Sequence, residues 1–268
     1  MLETLALVKW PLLAAVLASL PLAYYGVFLV ERRMVFVSVT LAQSALCGAA
    51  LSFFAGWEPR AGALLVVALT IALLALWGGR TGRGALPEDS VLGVLYVLLG
   101  ALAVVFLSKS VQGGLDEATL LFGSLLGVSL RDVEVLAGTV ALLALLHAWG
   151  YRRFLAVTFD AETSRVLGAP VGGLELAFFA GLGALLAVAI SQIGVLLSFA
   201  YLVLPAAAAR AFGRGTRSVF LTAGAIGVLG SAAGTLASIH WDVPTGAAIC
   251  LVLAVPLPFA EVLRVRRG

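Results

Sequence analysis

The sequence predicts an all-α, polytopic membrane protein with about nine transmembrane helices. Of its 268 residues, 62% are hydrophobic and only 12% are charged, and the mean hydropathy is +1.11. A soluble domain carries about 25% charged residues, and a chain of this length cannot hide so much apolar surface in one core. The apolar stretches are continuous and do not alternate with polar residues. The chain is therefore expected to lie in a lipid bilayer and to cross it as α-helices.

Nine apolar runs are each long enough to cross a hydrocarbon core of about 30 Å. The runs cover residues 10–30, 35–56, 62–78, 90–108, 132–150, 172–192, 194–212, 218–238 and 244–263. Pro205 is expected to break the seventh run, with a plain kink as the alternative, because proline removes a helical hydrogen bond. The interval 111–131 is amphipathic and rich in glycine, and is expected to form a short interfacial or re-entrant segment, not a full span.

The distribution of basic residues predicts the orientation. With the N-terminus outside, 13 of the 17 lysines and arginines fall in cytoplasmic segments, and Lys9, Arg60, Lys109 and Arg131 remain outside. Cytoplasmic loops of membrane proteins carry such an excess of positive charge. The sequence therefore predicts an outside N-terminus and a cytoplasmic C-terminus.

The stretch 151–170, YRRFLAVTFDAETSRVLGAP, is the longest polar interval in the chain. Asp160 is suited to cap a helix, Glu162 falls in its first turn, and Gly168 followed by Pro170 is a helix stop signal. A short polar helix between two spans is well placed to contact a soluble partner. The alternative is an ordinary basic loop that only obeys the orientation rule.

The sequence contains no nucleotide-binding P-loop, nucleophile–base pair or paired-carboxylate site, so we do not expect an enzyme. Energy for transport would come from a separate ATPase or from an ion gradient. An ion-coupled secondary transporter is the alternative, and it should carry an ionisable residue deep in the membrane. Glu175 and Glu261 lie near the predicted inner ends of their spans, which weighs against it.

Several polar residues inside the spans allow two interpretations. Gln43, with Thr40 and Ser44 nearby, either lines a transport path or forms interhelical hydrogen bonds. Gln192, near the outer end of the sixth span, is equally open between a cavity and a helix interface. His147 is expected to be a packing residue, with metal transfer as the alternative.

Two further residues at the predicted outer end of the eighth span are weak metal candidates. His240 and Asp242 are two residues apart, so they would share a cation if the loop between them is extended. The competing expectation is that Asp242 caps the helix that begins near Pro244.

Six stretches, in order along the chain, together resemble the permease subunits of ABC importers for zinc, manganese and iron, the ABC-3 type. They are GVFLVERRMVFVSVTLAQSALCGAAL at 26–51, PEDSVLG at 87–93, LLFGSLLG at 120–127, TFDAETSRVLG at 158–168, GVLLSFAYLVLPAAAAR at 194–210 and DVPTGA at 242–247. The resemblance implies one transmembrane domain over residues 1–268, in the cell inner membrane, with a cytoplasmic coupling segment at 151–170.

The resemblance also implies the partners and the site residues. A cytoplasmic ATPase would use the ATP, an extracytoplasmic binding protein would deliver the substrate, and a second permease subunit, expected as an identical copy, would complete the path. No cofactor and no nucleic acid is expected on this chain. The implied residues are Asp160, Glu162, Arg165 and Gly168 for coupling to the ATPase, and Ser38, Gln43, Ser44 and Gln192 for the path.

One departure from the family pattern concerns the substrate. The family carries an Asp and a His, four residues apart in the second span, that handle the metal. Val39 and Gln43 stand at these positions here, and valine cannot bind a metal while glutamine offers only an amide oxygen. A divalent transition metal remains the expected substrate from the resemblance, and Val39 and Gln43 leave a metal chelate or another small solute as the alternative, with the binding residues unassigned.

Overall fold

The computed structural model describes residues 2–78, 88–110, 120–121, 123, 127–212 and 215–259, and within these ranges the chain forms nine α-helices and no β-strand. The helices are α1 (Leu2–Glu31), α2 (Val35–Ala55), α3 (Pro59–Gly78), α4 (Glu88–Lys109), α5 (Leu130–Phe159), α6 (Ala161–Val166), α7 (Val171–Phe212), α8 (Thr216–Trp241) and α9 (Thr245–Ala254). The predicted all-α fold is confirmed.

Seven helices in the described ranges are long and apolar enough to cross a membrane, namely α1 to α5, α7 and α8. Helix α7 has 42 residues, and its backbone leaves the helical conformation at Gly194, with φ 77° and ψ 166°. It therefore contains both of the predicted spans 172–192 and 194–212. The last predicted span corresponds to a shorter apolar helical segment, Thr245–Phe259. Eight of the nine predicted spans therefore lie in helices long enough to cross a membrane, and the ninth lies in this shorter segment.

The expected break at Pro205 is wrong, because α7 continues through this proline and is interrupted eleven residues earlier, at Gly194. Proline removes only one hydrogen bond, and packed neighbours make that loss tolerable in a membrane helix. The conformation of Gly194 is one that essentially only glycine adopts. The expectation for the interval 111–131 lies largely outside the described residues.

Helix α5 is longer than the sequence indicated. The apolar run predicts an end at residue 150, yet the helix continues to Phe159 through Arg152 and Arg153. Arginine is a good helix former, and its charge does not oppose a helix that extends beyond the hydrocarbon. The first nine residues of the polar stretch are therefore a continuation of α5.

The chain divides into two compact units. The first unit contains residues 1–35, 118–140 and 189–268, and the second contains residues 36–117 and 141–188. In the first unit, small side chains from α1, α7 and α8 form a tightly packed core. Its buried members are Ala23, Val27, Ala206, Ala209, Val219 and Ala223. Small residues of this kind allow membrane helices to approach closely.

Glycine brings the backbones of α1 and α7 into contact in the first unit. A Cβ atom on Gly26 would overlap the carbonyl oxygen of Leu202. Further along both helices, Glu31 and Arg210 form an ion pair of 3.1 Å. The two contacts follow each other in the same order on both helices, so α1 and this part of α7 run side by side in one direction.

Helices α8 and α9 meet through the same kind of contact. Cβ atoms on Gly230 and Gly234 would overlap Leu253 and Ile249 of α9, respectively. At the turn between the helices, the Ser238 hydroxyl donates to the Val243 carbonyl at 2.7 Å and lies 2.9 Å from the Thr245 hydroxyl. These bonds fix the turn between α8 and α9.

In the second unit, α2 and α3 pack at a pair of glycines. A Cβ atom on Gly48 would overlap the backbone of Gly62, and one on Gly62 would overlap the Gly48 carbonyl. The Gly62 N–H donates to the Ser52 hydroxyl at 3.1 Å. On the other side of α3, Gly183 of α7 leaves room for the side chains of Val67 and Ile71.

We expect Gly26→Ala to lower the thermal stability of the protein in detergent, because the added methyl group collides with a backbone carbonyl that cannot rotate away. The loss should be about 1–3 kcal/mol, the usual cost of overpacking. The matched control is Gly224→Ala in α8, where the added Cβ would meet only a Leu20 methyl at 3.5 Å. Equal melting temperatures for the two variants, followed by tryptophan fluorescence, would contradict the close approach of α1 and α7.

Candidate transport and coupling sites

The predicted polar helix is present as α6, and its N-terminal cap is formed as the sequence indicated. The Thr163 N–H donates to Oδ1 of Asp160 at 2.8 Å. Hydrogen bonds from the Thr163 hydroxyl and the Thr163 N–H lower the pKa of the Asp160 carboxyl below its usual value. Glu162 lies in the first turn, where a negative charge is favourable.

The C-terminal end of α6 is also closed by the predicted residue. Gly168 adopts φ +82°. Its N–H donates to the Arg165 carbonyl at 3.0 Å, and the Ala169 N–H donates to the Ser164 carbonyl at 2.9 Å. This pair of bonds is the Schellman motif, which satisfies the last carbonyls of a helix. A six-residue helix capped at both ends is a stiff connection between α5 and α7.

The solvent-exposed surface of α6 and of the turn that follows it combines charged and apolar side chains. Glu162 and Arg165 are exposed, and Ser164 is buried on the opposite side. Val166 and Leu167 are 84% and 80% exposed, which is unusual for two adjacent branched apolar residues. Sequence reasoning missed these two residues, although an apolar pair directly before the stop glycine was the available signal.

The hydroxyl groups of α2 bond largely within the helix. Ser38, Thr40 and Ser44 are fully buried. The Ser44 hydroxyl donates to the Thr40 carbonyl at 2.8 Å, and the Thr40 hydroxyl lies 3.1 Å from the Phe36 carbonyl and 3.3 Å from the Leu92 carbonyl of α4. This face of α2 thus contributes to packing against α4 as well as carrying the candidate path residues.

Gln43 lies half-buried on α2, beside the backbone of α4. A Cβ atom on Gly100 would stand 3.0 Å from Nε2 of Gln43, so the glycine makes room for the amide. Val39, one turn earlier, is also half-buried. The structure therefore places Ser38, Gln43 and Ser44 in the second unit, on one helix that packs against α4.

Gln192 lies immediately before the interruption of α7, in the first unit. Its Nε2 donates to the Asp132 carbonyl at 3.0 Å. Its Oε1 is buried and has no hydrogen-bond partner among the described residues. The Ser198 hydroxyl donates to the Gly194 carbonyl at 2.7 Å, just after the interruption. Gln192 thus joins the break in α7 to the start of α5.

Gly123, from the string LLFGSLLG, packs directly on the break. It adopts φ +79°, and a Cβ atom on it would overlap the carbonyl group of Ile193. Two residues in glycine-favouring conformations, Gly123 and Gly194, therefore face each other backbone to backbone. Such a contact leaves no room for a side chain on Gly123.

The start of α5 is closed by a reciprocal cap. The Ser129 hydroxyl and N–H donate to Oδ2 of Asp132 at 2.6 Å and 3.0 Å, and the Asp132 N–H lies 3.3 Å from the Ser129 hydroxyl. This is the capping-box arrangement. The Asp132 carboxylate is thus engaged in holding the end of α5.

His147 has the environment of a packing residue, as the sequence favoured. It is 5% exposed, and its Nδ1 lies 3.0 Å from the Leu143 carbonyl. Its ring stacks on Phe154 with centroids 4.7 Å apart and meets the edge of Phe178 at 6.3 Å. Its surroundings in the second unit are therefore mainly aromatic.

The expected helix cap at Asp242 is wrong in its direction. Asp242 adopts a left-handed conformation, with φ 51°, and closes the C-terminus of α8, while Pro244 occupies the N-cap position of α9. Aspartate tolerates this conformation better than most residues, and the reversal of the chain requires it there. His240 and Asp242 are both exposed, and the described residues contain no group of three or more His, Cys, Asp or Glu side chains suited to hold a metal ion.

The fold and the sequence together define an ABC transporter permease. The model of the ABC 3 transport family matches residues 4–262, and the chain belongs to this family. It is a multi-pass protein of the cell inner membrane.

Two relatives and one solved structure illustrate the similarity. The manganese transport system membrane protein MntC of Halalkalibacterium halodurans is 26% identical over 257 residues, covering 96% of this chain and 87% of that protein. The high-affinity zinc uptake system membrane protein ZnuB of Haemophilus influenzae is 27% identical over 245 residues, covering 91% and 92%. PsaBC from Streptococcus pneumoniae in complex with Fab has the same fold, with a TM-score of 0.86 at 22% identity over 97% of this chain and 93% of that chain.

We expect Gly194→Ala to lower both thermal stability and transport, because alanine cannot adopt φ 77° and ψ 166° without strain of about 1–3 kcal/mol. The control is Gly173→Ala in the same helix, where nothing lies within 4 Å of an added Cβ. Melting temperature and uptake should fall for the first variant and stay near the wild-type values for the second. An unchanged Gly194→Ala protein would show that the break is not required.

Proposed function

We propose that this chain is the membrane-spanning permease of an ATP-driven importer for a divalent transition metal, zinc, manganese or iron, or for its chelate. Membership of the ABC 3 transport family over residues 4–262 carries this proposal. Relatives named for manganese transport and for zinc uptake support the substrate class. The metal is the transported substrate and not a resident cofactor.

The segment 151–170 is proposed to couple the permease to a separate cytoplasmic ATPase. Helix α6 is short, capped by Asp160 and Gly168, and rigidly placed between two long helices. Exposed apolar residues flanked by charge are typical of a protein contact. Val166 and Leu167 would fill a pocket of the ATPase, and Glu162 and Arg165 would set the register around them.

The remaining partners follow from the same proposal. A second permease subunit, expected as an identical copy, would complete the transport path, and an external binding protein would deliver the substrate. The N-terminus is proposed to lie outside and the C-terminus in the cytoplasm, as the arginine distribution predicts. ATP would be bound and hydrolysed only by the partner ATPase.

Candidate path residues are proposed in each unit, namely Ser38, Gln43 and Ser44 on α2 and Gln192 beside the break in α7. Gln43 carries the longest polar side chain among the α2 candidates, and Gly100 of α4 leaves room for its amide. Its amide oxygen would contact the metal or the polar part of a chelate. Gln192, whose Nε2 donates to the Asp132 carbonyl beside the break in α7, would line the outer end.

In this proposal, closure of the ATPase pair upon ATP binding pushes α6, and the push reaches the spans through α5 and α7. Only Asp160 separates α5 from α6, and the capped turn 167–170 joins α6 to α7, so a displacement of α6 is passed to both helices through short connections. The permease then accepts substrate from outside and releases it inward after ATP hydrolysis.

The experiment that tests the function is radiolabelled uptake into proteoliposomes holding this chain, its cognate ATPase and its binding protein. Zinc, manganese and iron are offered as free ions and as chelates, with and without ATP. ATP-dependent uptake of a metal species is expected. Gln43→Ala should reduce it about tenfold or more, the effect of losing one polar contact to a charged substrate.

The control for Gln43→Ala is Thr70→Val in α3, whose buried hydroxyl donates to the Val66 carbonyl of its own helix at 2.9 Å. It should leave uptake unchanged. Uptake driven by an ion gradient in the absence of ATP would overturn the importer and favour a secondary transporter. ATP-driven uptake of a solute that contains no metal would contradict the proposed substrate class but not the proposed importer.

The coupling role predicts the effect of a second pair of substitutions. Val166→Ser with Leu167→Ser should lower uptake and permease-stimulated ATP hydrolysis at least about tenfold, because a buried apolar anchor of a protein contact is lost. Since both side chains are exposed in the isolated chain, its melting temperature should not change.

The matched control for the coupling variant is Leu130→Ser, an exposed leucine at the other end of α5. It should leave uptake and ATP hydrolysis at wild-type values. Full ATPase coupling in the Val166/Leu167 variant would rule out α6 as the contact.

A further inference from the structure

The C-terminal part of α5 carries a face formed by Trp149, Arg152 and Arg153, here called the α5 end face. Trp149 is 85% exposed, and both arginines are exposed. We propose that the α5 end face binds the headgroup phosphate of an anionic phospholipid, with an acyl chain of the same lipid lying along the helix above it. Nothing in this proposal depends on the transported substrate.

The apolar part of this surface is a stripe on one side of α5. Leu142, Leu145 and Trp149 are 66%, 71% and 85% exposed, and their spacing places them on one side of the helix. The opposite side holds the buried residues His147 and Phe154, so the orientation of the helix is fixed by packing within its own unit. The stripe is therefore exposed because of the way α5 packs within its unit.

The charged part of the surface follows directly after the stripe. The Arg153 guanidinium lies 5.7 Å from the centre of the Trp149 ring, in the range of a cation–π contact. Neither Arg152 nor Arg153 forms an ion pair with any residue that the structure describes. The nearest acidic side chain along the chain, Asp160, is engaged with Thr163. The arginines therefore retain their full capacity for an external anion.

The length of α5 puts this pair at the membrane surface. Thirty residues extend about 45 Å, which exceeds a hydrocarbon core of about 30 Å. A tryptophan followed by arginines at such a boundary sits at the level of the lipid headgroups. A phospholipid supplies both chemistries of the face in one molecule, an acyl chain for the leucine stripe and a phosphate for the guanidinium groups.

A net negative lipid is favoured over a zwitterionic one, because phosphatidylcholine carries a cation beside its phosphate. Each arginine near an anionic surface contributes about fivefold to the local enrichment of an anionic lipid. A partner helix or a soluble protein would have to satisfy two arginines as well as the stripe, and these occupants are outcomes of the test.

The test uses the full chain in nanodiscs of phosphatidylcholine that contain a small fixed fraction of lipid with brominated acyl chains, which quench nearby tryptophan. The brominated lipid is either phosphatidylglycerol or phosphatidylcholine. The sequence has 5 tryptophans, so the Trp149 signal is the difference between the wild type and Trp149→Phe. No metal or ATP is present, so the result stands whether or not the uptake experiment succeeds.

Brominated phosphatidylglycerol is expected to quench the Trp149 signal several times more strongly than brominated phosphatidylcholine. Arg152→Gln with Arg153→Gln should bring the ratio of the two close to one. Arg131→Gln, an exposed arginine at the other end of α5, is the matched control and should preserve the ratio. A melting temperature equal to that of the wild type shows that the variants are folded.

Three results would overturn the proposal. Equal quenching by the two brominated lipids in the wild type would mean that the face has no preference for anionic lipid. An equal loss of preference in Arg131→Gln would mean that only the overall charge of the protein attracts the lipid. Disappearance of the preference when the cognate ATPase is assembled on the chain would assign the α5 end face to a protein contact.

Discussion

Close approach of helix backbones at glycine residues is the interaction on which the rest of this structure depends. Lipid tails are as apolar as leucine, so side-chain burial alone gives helices little reason to associate in a membrane. Where glycine provides no side chain, two helix backbones can approach closely, and many of their atoms then lie within van der Waals contact. Gly26 against Leu202, Gly48 against Gly62 and Gly123 against Ile193 are contacts of this type.

The features set by local chemistry were predictable from the sequence. Continuous apolar runs predicted the helical spans. The caps of α6 at Asp160 and Gly168 were predictable because a carboxylate and a left-handed glycine act on their immediate neighbours. The family was recognisable because its strings keep their order along nearly the whole chain.

The features set by distant residues were not predictable in the same way. Pro205 had the stronger local signal for a break, yet the break lies at Gly194, where Gly123 packs against it from about seventy positions earlier in the chain. The extension of α5 past residue 150 and the exposure of Val166 and Leu167 likewise depend on where the chain leaves the apolar medium. The hydropathy of a residue indicates whether it prefers lipid or water, but it does not indicate which other residues pack against it.

The length of α5 has a mechanical consequence. A helix that runs without interruption from the cap at Ser129 to the cap at Asp160 behaves as a stiff rod, and its 30 residues extend about 45 Å, longer than a hydrocarbon core of about 30 Å. A rod pivoting within the bilayer moves its ends in proportion to their distance from the pivot. Under the proposed coupling role, a small tilt of α5 within the membrane would correspond to a larger displacement of α6, and a large displacement of α6 would produce a smaller rearrangement among the spans.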